Sequence, residues 1–398
     1  MAELKYWIWL SELFSKGSDK PGALLDYFET PERIFAASAE ELAVSGLVNQ
    51  AETARIMRHS LERSEFILKE CGRLKIRAVS LEDPLYPERL KNIYAAPPVL
   101  YVYGDLSGMD DNVVLGVVGT RHPTEYGKTV TDELCYQLTA AGAVIVSGCA
   151  VGIDAHAHMG ALKAGGRTVG VLGCGLDVDY PAENKGLKRE ILKCGGALIS
   201  ELPPGTTVSG KYFPTRNRLI SGLSLGVVVT EAPVRSGSLI TLNLALEQGR
   251  DVFCVPPHDI YNPLYQGVVK PLRDGATAVY DINDILFEYY GEYSHKLVAD
   301  KAVIRYVRQL NGDGSQRRVA DGTAEAATDP SKEAPRPEPA LSGNAKIIYE
   351  ALEAEPLYVS ELAEKTGLGL PDLLAALTEM EIDGLAVSFS GQRYARAK

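Results

Sequence analysis

The sequence Val113-Val114-Leu115-Gly116-Val117-Val118-Gly119-Thr120-Arg121 decides the fold. An unbroken apolar run of this length is typical of a strand whose two faces are both buried. The run ends in a glycine followed by two polar residues, and a segment of helical length follows at 124–141. We therefore predict a strand, loop and helix unit that begins near Val113.

The same unit recurs along the chain. Further apolar runs lie at 143–147, 168–172, 197–200, 225–230, 251–255 and 277–280. Segments of helical length between them include 152–164, 183–194 and 238–248. Strands that alternate with helices form a parallel sheet covered on both faces. We predict an α/β fold, an extended Rossmann-like, doubly wound parallel sheet, with edge strands from 72–112.

The segments on either side of this core have different patterns. Residues 1–70 place apolar side chains at helical spacing between short breaks, which predicts a helical module of the SAM or helix-hairpin-helix type. The core is assigned to 71–292. Residues 293–343 are predicted to be a disordered linker, because Pro, Ala, Glu, Asp, Gly and Ser dominate them from 311 onward. Residues 344–398 predict a winged-helix domain with a wing near 386–394.

The composition limits the classes of protein to which this chain can belong. The 398 residues allow two or three domains, and 45% hydrophobic with 23% charged residues is ordinary for a globular protein. The net charge of -11 argues against polyanion binding over the whole surface, although it permits a local basic groove. Six cysteines form no CxxC pair. No signal peptide or membrane span is recognisable, so we expect a cytoplasmic protein.

Glycine and polar residues gather where the predicted strands end, which is the edge at which open parallel sheets bind ligands. These sequences are Gly119-Thr120-Arg121, Ser147-Gly148-Cys149-Ala150-Val151-Gly152, Gly173-Cys174-Gly175 and Ser236-Gly237-Ser238. Each leads into a helix, so backbone N–H groups can approach an anion there. Tight strand-to-helix turns also need glycine for their own geometry. We predict an anion-binding rim.

A second informative stretch is Phe213-Pro214-Thr215-Arg216-Asn217-Arg218-Leu219-Ile220-Ser221-Gly222, preceded by Lys211-Tyr212. Guanidinium groups suit phosphate, an amide can read a base edge, and an aromatic ring can stack on a base. This combination favours single-stranded nucleic acid as the ligand. The alternative is that Arg216 and Arg218 pair with Glu201 or Glu231 and hold the rim in shape.

Several other chemistries are disfavoured. There is no GxGxxG after the first long strand, no complete phosphate-binding loop before Lys128 and no GxSxG. His156 and His158 are two residues apart on a predicted helix, so they cannot face one metal ion, and we expect one of them to pack under a loop. We therefore expect no cofactor, no metal and no catalytic residue. Lys188 and Lys193 are expected on a solvated helix face.

The predicted recognition helix of the winged-helix domain, 370–383, carries four acidic residues and no Lys or Arg. Four carboxylates would repel the backbone of a DNA duplex. We therefore predict that this domain contacts protein rather than reading a major groove.

In its domain order, and closely over residues 70–290, the chain resembles the DprA/Smf family of DNA-processing proteins. The residues that carry the resemblance are Val118-Gly119-Thr120-Arg121, Ser147-Gly148, Gly152-Ile153-Asp154, Ala157-His158, Gly175-Leu176-Asp177, Tyr180-Pro181, Ser200-Glu201, Phe213-Pro214-Thr215-Arg216-Asn217-Arg218, Glu231-Ala232 and Ser236-Gly237-Ser238 with Thr241. The chain departs from the family pattern at Val255-Pro256-Pro257, where Val-Pro-Gly is usual. It also departs at residues 267–271, which lack the family's asparagine.

The resemblance implies a protein without catalytic activity. It would bind single-stranded DNA, protect incoming DNA during natural transformation, load the RecA recombinase and form a homodimer through its core. The resemblance also implies that Arg121 and the 211–213 region contact DNA, with Lys185 as a looser match.

From the residues and the resemblance together we expect the DNA-binding positions Gly119, Arg121, Gly148, Lys185, Lys211, Phe213, Arg216, Asn217, Arg218, Ser236, Gly237 and Ser238. Two other functions remain open. One is a nucleotide phosphoribohydrolase of the lysine-decarboxylase-like Rossmann group that uses Glu231 as its carboxylate, although the Pro-Gly-Gly-x-Gly-Thr loop of that group is absent. The other is a protein-interaction scaffold without affinity for DNA.

Overall fold

A computed structural model describes residues 2–297, 344–352, 357–369, 373, 376, 377, 380, 385–389 and 393–396. The chain divides into two units, Met1–Gly314 and Ser315–Lys398. The first unit contains a helical module and the large sheet. The second contains the winged-helix domain.

Six helices of 6 to 13 residues build the described part of the N-terminal module. They are α1 Leu4–Leu13, α2 Lys20–Phe28, α3 Pro31–Ala36, α4 Ala39–Ser45, α5 Gln50–Ile56 and α6 Glu62–Leu74. Ser38 with Glu41, and Asn49 with Glu52, form capping boxes that start α4 and α5. The module buries its own apolar cluster around Leu10.

Among the described residues of the first unit, nine strands form one sheet. They are β1 Arg77–Ser80, β2 Val99–Gly104, β3 Val114–Val118, β4 Val144–Ser147, β5 Thr168–Val171, β6 Ala197–Ser200, β7 Gly226–Val229, β8 Asp251–Cys254 and β9 Thr277–Ala278. The predicted apolar runs from 113 onward all contain a strand. Strands β3 to β9 pair in parallel, whereas β1 pairs with β2, and β2 with β6, in antiparallel.

Helices cover both faces of this sheet. They are α7 Glu88–Lys91, α8 Glu125–Ala140, α9 Ile153–Lys163, α10 Lys185–Lys193, α11 Tyr212–Leu223, α12 Ser238–Glu247, α13 Gln266–Arg273, α14 Asn283–Leu286 and α15 Tyr290–Tyr293. A 3₁₀ turn, Ala182–Asn184, leads into α10. All five residues of β3 are buried because the strand is covered on both sides. The predicted Rossmann-like, doubly wound fold is confirmed.

The strand order sets the position of the functional edge. The order is β1-β2-β6-β5-β4-β3-β7-β8-β9, so the chain moves outward from β3 to β6 and then returns to the other side of β3 at β7. Helix α11 makes that return, which creates a crevice at the carboxyl ends of β3 and β7. Open α/β sheets bind ligands at such a switch point.

The core extends slightly beyond its predicted end. Leu297 is buried among the residues that pack on one face of the sheet, and the hydroxyl of Tyr293 accepts a hydrogen bond from Arg89 at 2.8 Å. The predicted linker, 293–343, therefore begins with five residues that still belong to the core. Its remaining residues, 298–343, lie outside the described part of the chain.

The second unit has the elements of a winged-helix domain. They are α16 Asn344–Ala351, β10 Leu357–Tyr358, α17 Val359–Thr366, β11 Ala386–Phe389 and β12 Arg393–Arg396. The three strands form a sheet in the order β10-β12-β11, and β11 with β12 forms the predicted wing. Of the predicted recognition helix the structure describes four residues, all buried: Leu373, Ala376, Leu377 and Met380. Its four acidic residues lie outside the described part.

Within the described ranges, no helix has the length and apolar character needed to cross a membrane.

Leu115→Ala tests whether β3 is the centre of the core. Leu115 is fully buried in the middle of the sheet, between β4 and β7, so we expect the free energy of unfolding to fall by about 2–5 kcal/mol. Denaturant unfolding measures it. Val44→Ala, at a position 79% exposed, is the control and should change stability by less than about 0.5 kcal/mol. Equal effects of the two changes would contradict the central position of β3.

Candidate nucleic-acid interface

A cleft of about 340 Å³ lies at the switch point. It is called the main cleft here, and its walls are the loop after β3, the start of α11 and the loop before α12. Eight of the predicted DNA-binding residues line it: Gly119, Arg121, Phe213, Arg216, Asn217, Ser236, Gly237 and Ser238. Val118, Ile220 and Ile240 give it an apolar floor.

Arg121 and Phe213 form the mouth of the main cleft. The guanidinium carbon of Arg121 lies 5.4 Å from the centroid of the Phe213 ring. Tyr180 packs near the same ring, with centroids 5.7 Å apart. Arg121 is exposed and forms no salt bridge with any residue in the described part of the chain. An exposed cation therefore lies beside an aromatic ring, and proteins use this combination to bind single-stranded nucleic acid.

Arg216 lies in the wall of the cleft and is only 7% exposed. Its Nη1 donates to the carbonyl of Gly148 at 2.8 Å and to the carbonyl of Val171. Its Nε donates to Oδ1 of Asn217 at 3.2 Å. Arg216 therefore joins the carboxyl ends of β4 and β5 to α11, and most of its hydrogen-bonding capacity is spent inside the protein.

Gly148 is required by the packing around Arg216. A Cβ atom at this position would lie 2.5 Å from Nη2 of Arg216 and 2.6 Å from Oδ2 of Asp154. The buried Asp154 carboxylate accepts hydrogen bonds from the N–H groups of Gly148 and Ala150. Burial raises the pKa of Asp154, and the Arg216 charge opposes that rise. Gly148 lines a small pocket next to the main cleft.

Gly119 has a packing role as well. A Cβ there would lie 2.5 Å from the Ile153 side chain and 2.8 Å from the carbonyl oxygen of Glu231. By contrast, a Cβ at Gly237 would meet nothing within 4 Å. Of these glycines, only Gly237 leaves open space for an anion beside the start of α12.

Arg218 faces away from the main cleft. Its Nη2 donates to both carboxylate oxygens of Glu201, at 2.6 and 2.7 Å, and both side chains are 7% exposed. The alternative interpretation from the sequence, an ion pair with Glu201 that holds the rim, therefore describes Arg218. Its Nε and Nη1 are buried without a hydrogen-bond partner.

Asn217 is held by protein contacts at both ends of its amide. Its Oδ1 accepts from Arg216, and its Nδ2 donates to the carbonyl of Gly237 at 3.3 Å. The side chain therefore bridges α11 to the loop before α12. The hydroxyls of Ser236 and Ser238 are 2.7 Å apart in that loop.

The two lysines predicted to bind DNA, Lys185 and Lys211, do not line the main cleft. Lys185 pairs with Asp179 on the exposed surface. Lys211 lines a second cleft on the other side of α11. The expectation for Lys188 is wrong: it is 6% exposed, and its Nζ donates to the carbonyl of Tyr180 at 2.6 Å. Lys188 thus fixes the segment that carries Tyr180 beside Phe213. Lys193 is exposed, as expected.

Two cleft residues escaped the sequence analysis. Arg235 and His122 are both exposed and line the main cleft, and Arg235 forms no salt bridge within the described residues. Arg235 follows β7 by six residues, and His122 follows β3 by four. The rule that ligands bind at carboxyl strand ends was a sufficient signal for both.

The two histidines of α9 have separate surroundings, as expected. His158 is fully buried, with Nδ1 2.7 Å from Thr168 Oγ1 and Nε2 3.4 Å from Cys149 Sγ. Burial lowers the pKa of His158 to about 3, so its ring is neutral. His156 instead lies 2.9 Å from Asp132. The described part of the chain contains no cluster of His, Cys, Asp and Glu that could hold a metal ion.

Glu231 caps α8. Its carboxylate accepts from the N–H and the hydroxyl of Thr124, at 3.0 and 2.7 Å, and the residue is fully buried. Thr124 in turn caps α8 through the N–H of Gly127. A carboxylate committed to a helix start in this way is not placed to act on a ligand in the main cleft.

The fold defines the chain as a Rossmann-like α/β protein with a C-terminal winged helix. The family model described as DNA recombination-mediator protein A matches residues 77–290, and the DprA winged helix domain matches residues 332–392. The chain is 34% identical to Protein Smf of Synechocystis over 99% of both chains. It is 44% identical to DNA processing protein DprA of Bacillus subtilis over 54% of this chain and 71% of that one.

A crystal structure of DNA processing protein A from Streptococcus pneumoniae superposes with a TM-score of 0.62 at 34% identity, over 72% of this chain and 99% of that chain. The chain belongs to the DprA/Smf family of DNA-processing proteins.

Arg218→Met tests the ion pair behind the rim. Removing the cation leaves the Glu201 carboxylate buried without a partner, so we expect a loss of about 3–5 kcal/mol in the free energy of unfolding. Replacing both residues, Arg218→Met with Glu201→Leu, should recover most of that loss, because no buried charge remains. Denaturant unfolding measures both variants. A loss below about 1 kcal/mol in the single variant would mean that water or another group compensates the Glu201 carboxylate, and it would contradict the importance of the ion pair.

Proposed function

We propose that this DNA-processing protein is a single-stranded DNA-binding recombination mediator without catalytic activity. The observation that carries the proposal is the main cleft, where Arg121 lies beside the ring of Phe213 and Arg235 lines the same cleft. Both arginines are exposed and form no salt bridge with any described residue. Each arginine offers a planar fork of donors to a phosphate.

Single-stranded DNA fits this cleft better than a duplex does. A stacking ring needs the face of an unpaired base, and duplex bases present only their edges in the grooves. The apolar floor at Val118 and Ile220 suits a sugar or a base, while the N-terminus of α12 and the arginines suit phosphates. Because the net charge is -11, binding depends on this local group of cations.

The bound strand, in this proposal, is protected and then passed to the RecA recombinase, as the family resemblance implies. A homodimer forms through the Rossmann-like core. A groove of about 620 Å³ supports an interface there, since its lining combines apolar residues such as Leu239 and Leu246, the latter 60% exposed, with charged ones such as Lys270.

Arg121→Ala and Arg235→Ala test the cleft. Each change removes about one phosphate contact, so the slope of log K against log salt should become shallower by about 0.7 for single-stranded DNA. Fluorescence anisotropy of a labelled oligonucleotide across a salt series measures the slope, with a duplex of the same sequence for comparison.

Arg189→Ala is the matched control, since Arg189 is an exposed arginine on α10 that does not line the cleft. Its slope should equal that of the unchanged protein. If the unchanged protein does not bind single strands at low salt, the proposal fails. If all three variants behave alike, the DNA lies somewhere other than the main cleft.

RecA loading has a separate test. RecA hydrolyses ATP when it assembles on single strands, and a coating of single-strand-binding protein slows that assembly. We expect this protein to shorten the lag of ATP hydrolysis on coated strands, and Arg121→Ala to lose the effect. An unchanged lag in the presence of a protein that binds the strand tightly would separate DNA binding from mediation.

A further inference from the structure

A second cleft, of about 380 Å³, lies on the other side of the start of α11. One wall belongs to the core and includes Thr206, Lys211 and Tyr212, and the other belongs to the N-terminal helical module and includes Ser15 and Lys16. We propose that this second cleft takes further nucleotides of the same DNA strand, so that the helical module takes part in binding. The inference rests on the proposed function of the main cleft.

The start of α11 forms a ridge with one aromatic ring and one cation on each side. Phe213 lines the main cleft with Arg121 at 5.4 Å from its ring centroid. Tyr212 lines the second cleft with Lys211 Nζ at 5.0 Å from its ring centroid. Each cleft thus pairs a base-stacking ring with a phosphate-binding cation. Consecutive residues carry the two rings, so a single strand that crosses the ridge meets both.

The charge inside the second cleft also fits a phosphate. Lys211 is exposed and forms no salt bridge with any described residue. The one carboxylate in the lining, Glu12, is neutralised by Lys16 at 3.0 Å. No side chain caps the start of α11, so its positive end adds to Lys211. The exposed hydroxyl of Ser15 supplies a further donor, whereas the Thr206 hydroxyl already donates to the carbonyl of Pro203 at 2.7 Å.

The two walls are fixed relative to each other by a close contact. Gly17 has φ of +80°, and a Cβ there would lie 2.7 Å from the Thr215 side chain and 3.6 Å from Nε of Arg218. The loop after α1 therefore sits directly against α11 at a position that only glycine fills without strain. A strand in the second cleft would contact a preformed surface.

The length of the oligonucleotide distinguishes the two clefts. A strand of about three nucleotides fills the main cleft alone, whereas one of about 15 crosses the ridge. We expect Tyr212→Ala to weaken binding of the longer strand about tenfold, as loss of one stacked base does, and to leave the shorter one unchanged. Tyr212→Phe keeps the ring and should bind like the unchanged protein. Fluorescence anisotropy with labelled oligonucleotides of both lengths measures this.

A charge placed on the module wall tests the module itself. Ser15→Glu adds a negative charge beside the second cleft and should weaken binding of the longer strand several-fold. Ser60→Glu is the matched control, because Ser60 is an equally exposed serine of the same module outside the cleft. It should change binding less than twofold.

The outcomes separate this inference from the proposed function. If Arg121→Ala weakens both lengths while Tyr212→Ala and Ser15→Glu weaken neither, the second cleft does not bind DNA and the main cleft does. Equal weakening of both lengths by Tyr212→Ala would also overturn the inference, because it would mean a single site. If the unchanged protein binds neither length, both proposals fall.

Discussion

The guanidinium of Arg216 is the contact on which the cleft depends. This group is buried. Its Nη1 donates to the carbonyls at the ends of β4 and β5, and its Nε donates to Asn217, whose amide in turn bonds to the loop before α12. Three sheet and helix termini are thereby held together by one buried cation. A buried charge is costly unless it finds hydrogen-bond partners, and here two strand-end carbonyls and the Asn217 amide oxygen accept from the guanidinium.

The two arginines of one turn of α11 have different structural roles. Arg216 and Arg218 both face inward, yet one holds strand ends and the other neutralises Glu201. Neither is free for a ligand in the way that Arg121 and Arg235 are. In this protein the sequence PTRNR, residues 214–218, builds the site, and the loops after β3 and β7 furnish its cations. The same difference in roles explains why Gly148 lies against Arg216, where a side chain would displace it.

The sheet was predictable because its strands are unbroken apolar runs such as 113–118. The position of Arg121 at the carboxyl end of the strands was predictable because the residue follows such a run. Burial of charged side chains was harder to predict. Lys188 has the spacing of a surface lysine, and only the folded position of the Tyr180 carbonyl explains why it turns inward. Arg235 directly precedes the predicted Ser236-Gly237-Ser238 loop, so the strand-end rule applies to it as well.

The helical module shares a core with the edge of the sheet. Trp7 and Ile8 of α1 are buried in one cluster with Val99 and Tyr101 of β2, and β2 pairs with β6 in the sheet. Removing the first 70 residues would therefore expose apolar side chains of β1 and β2 to solvent. A chain shortened in this way would carry an apolar surface patch that promotes aggregation. Residues 1–70 thus help to keep this edge of the sheet covered, and a shortened chain that preserves the core has to include them.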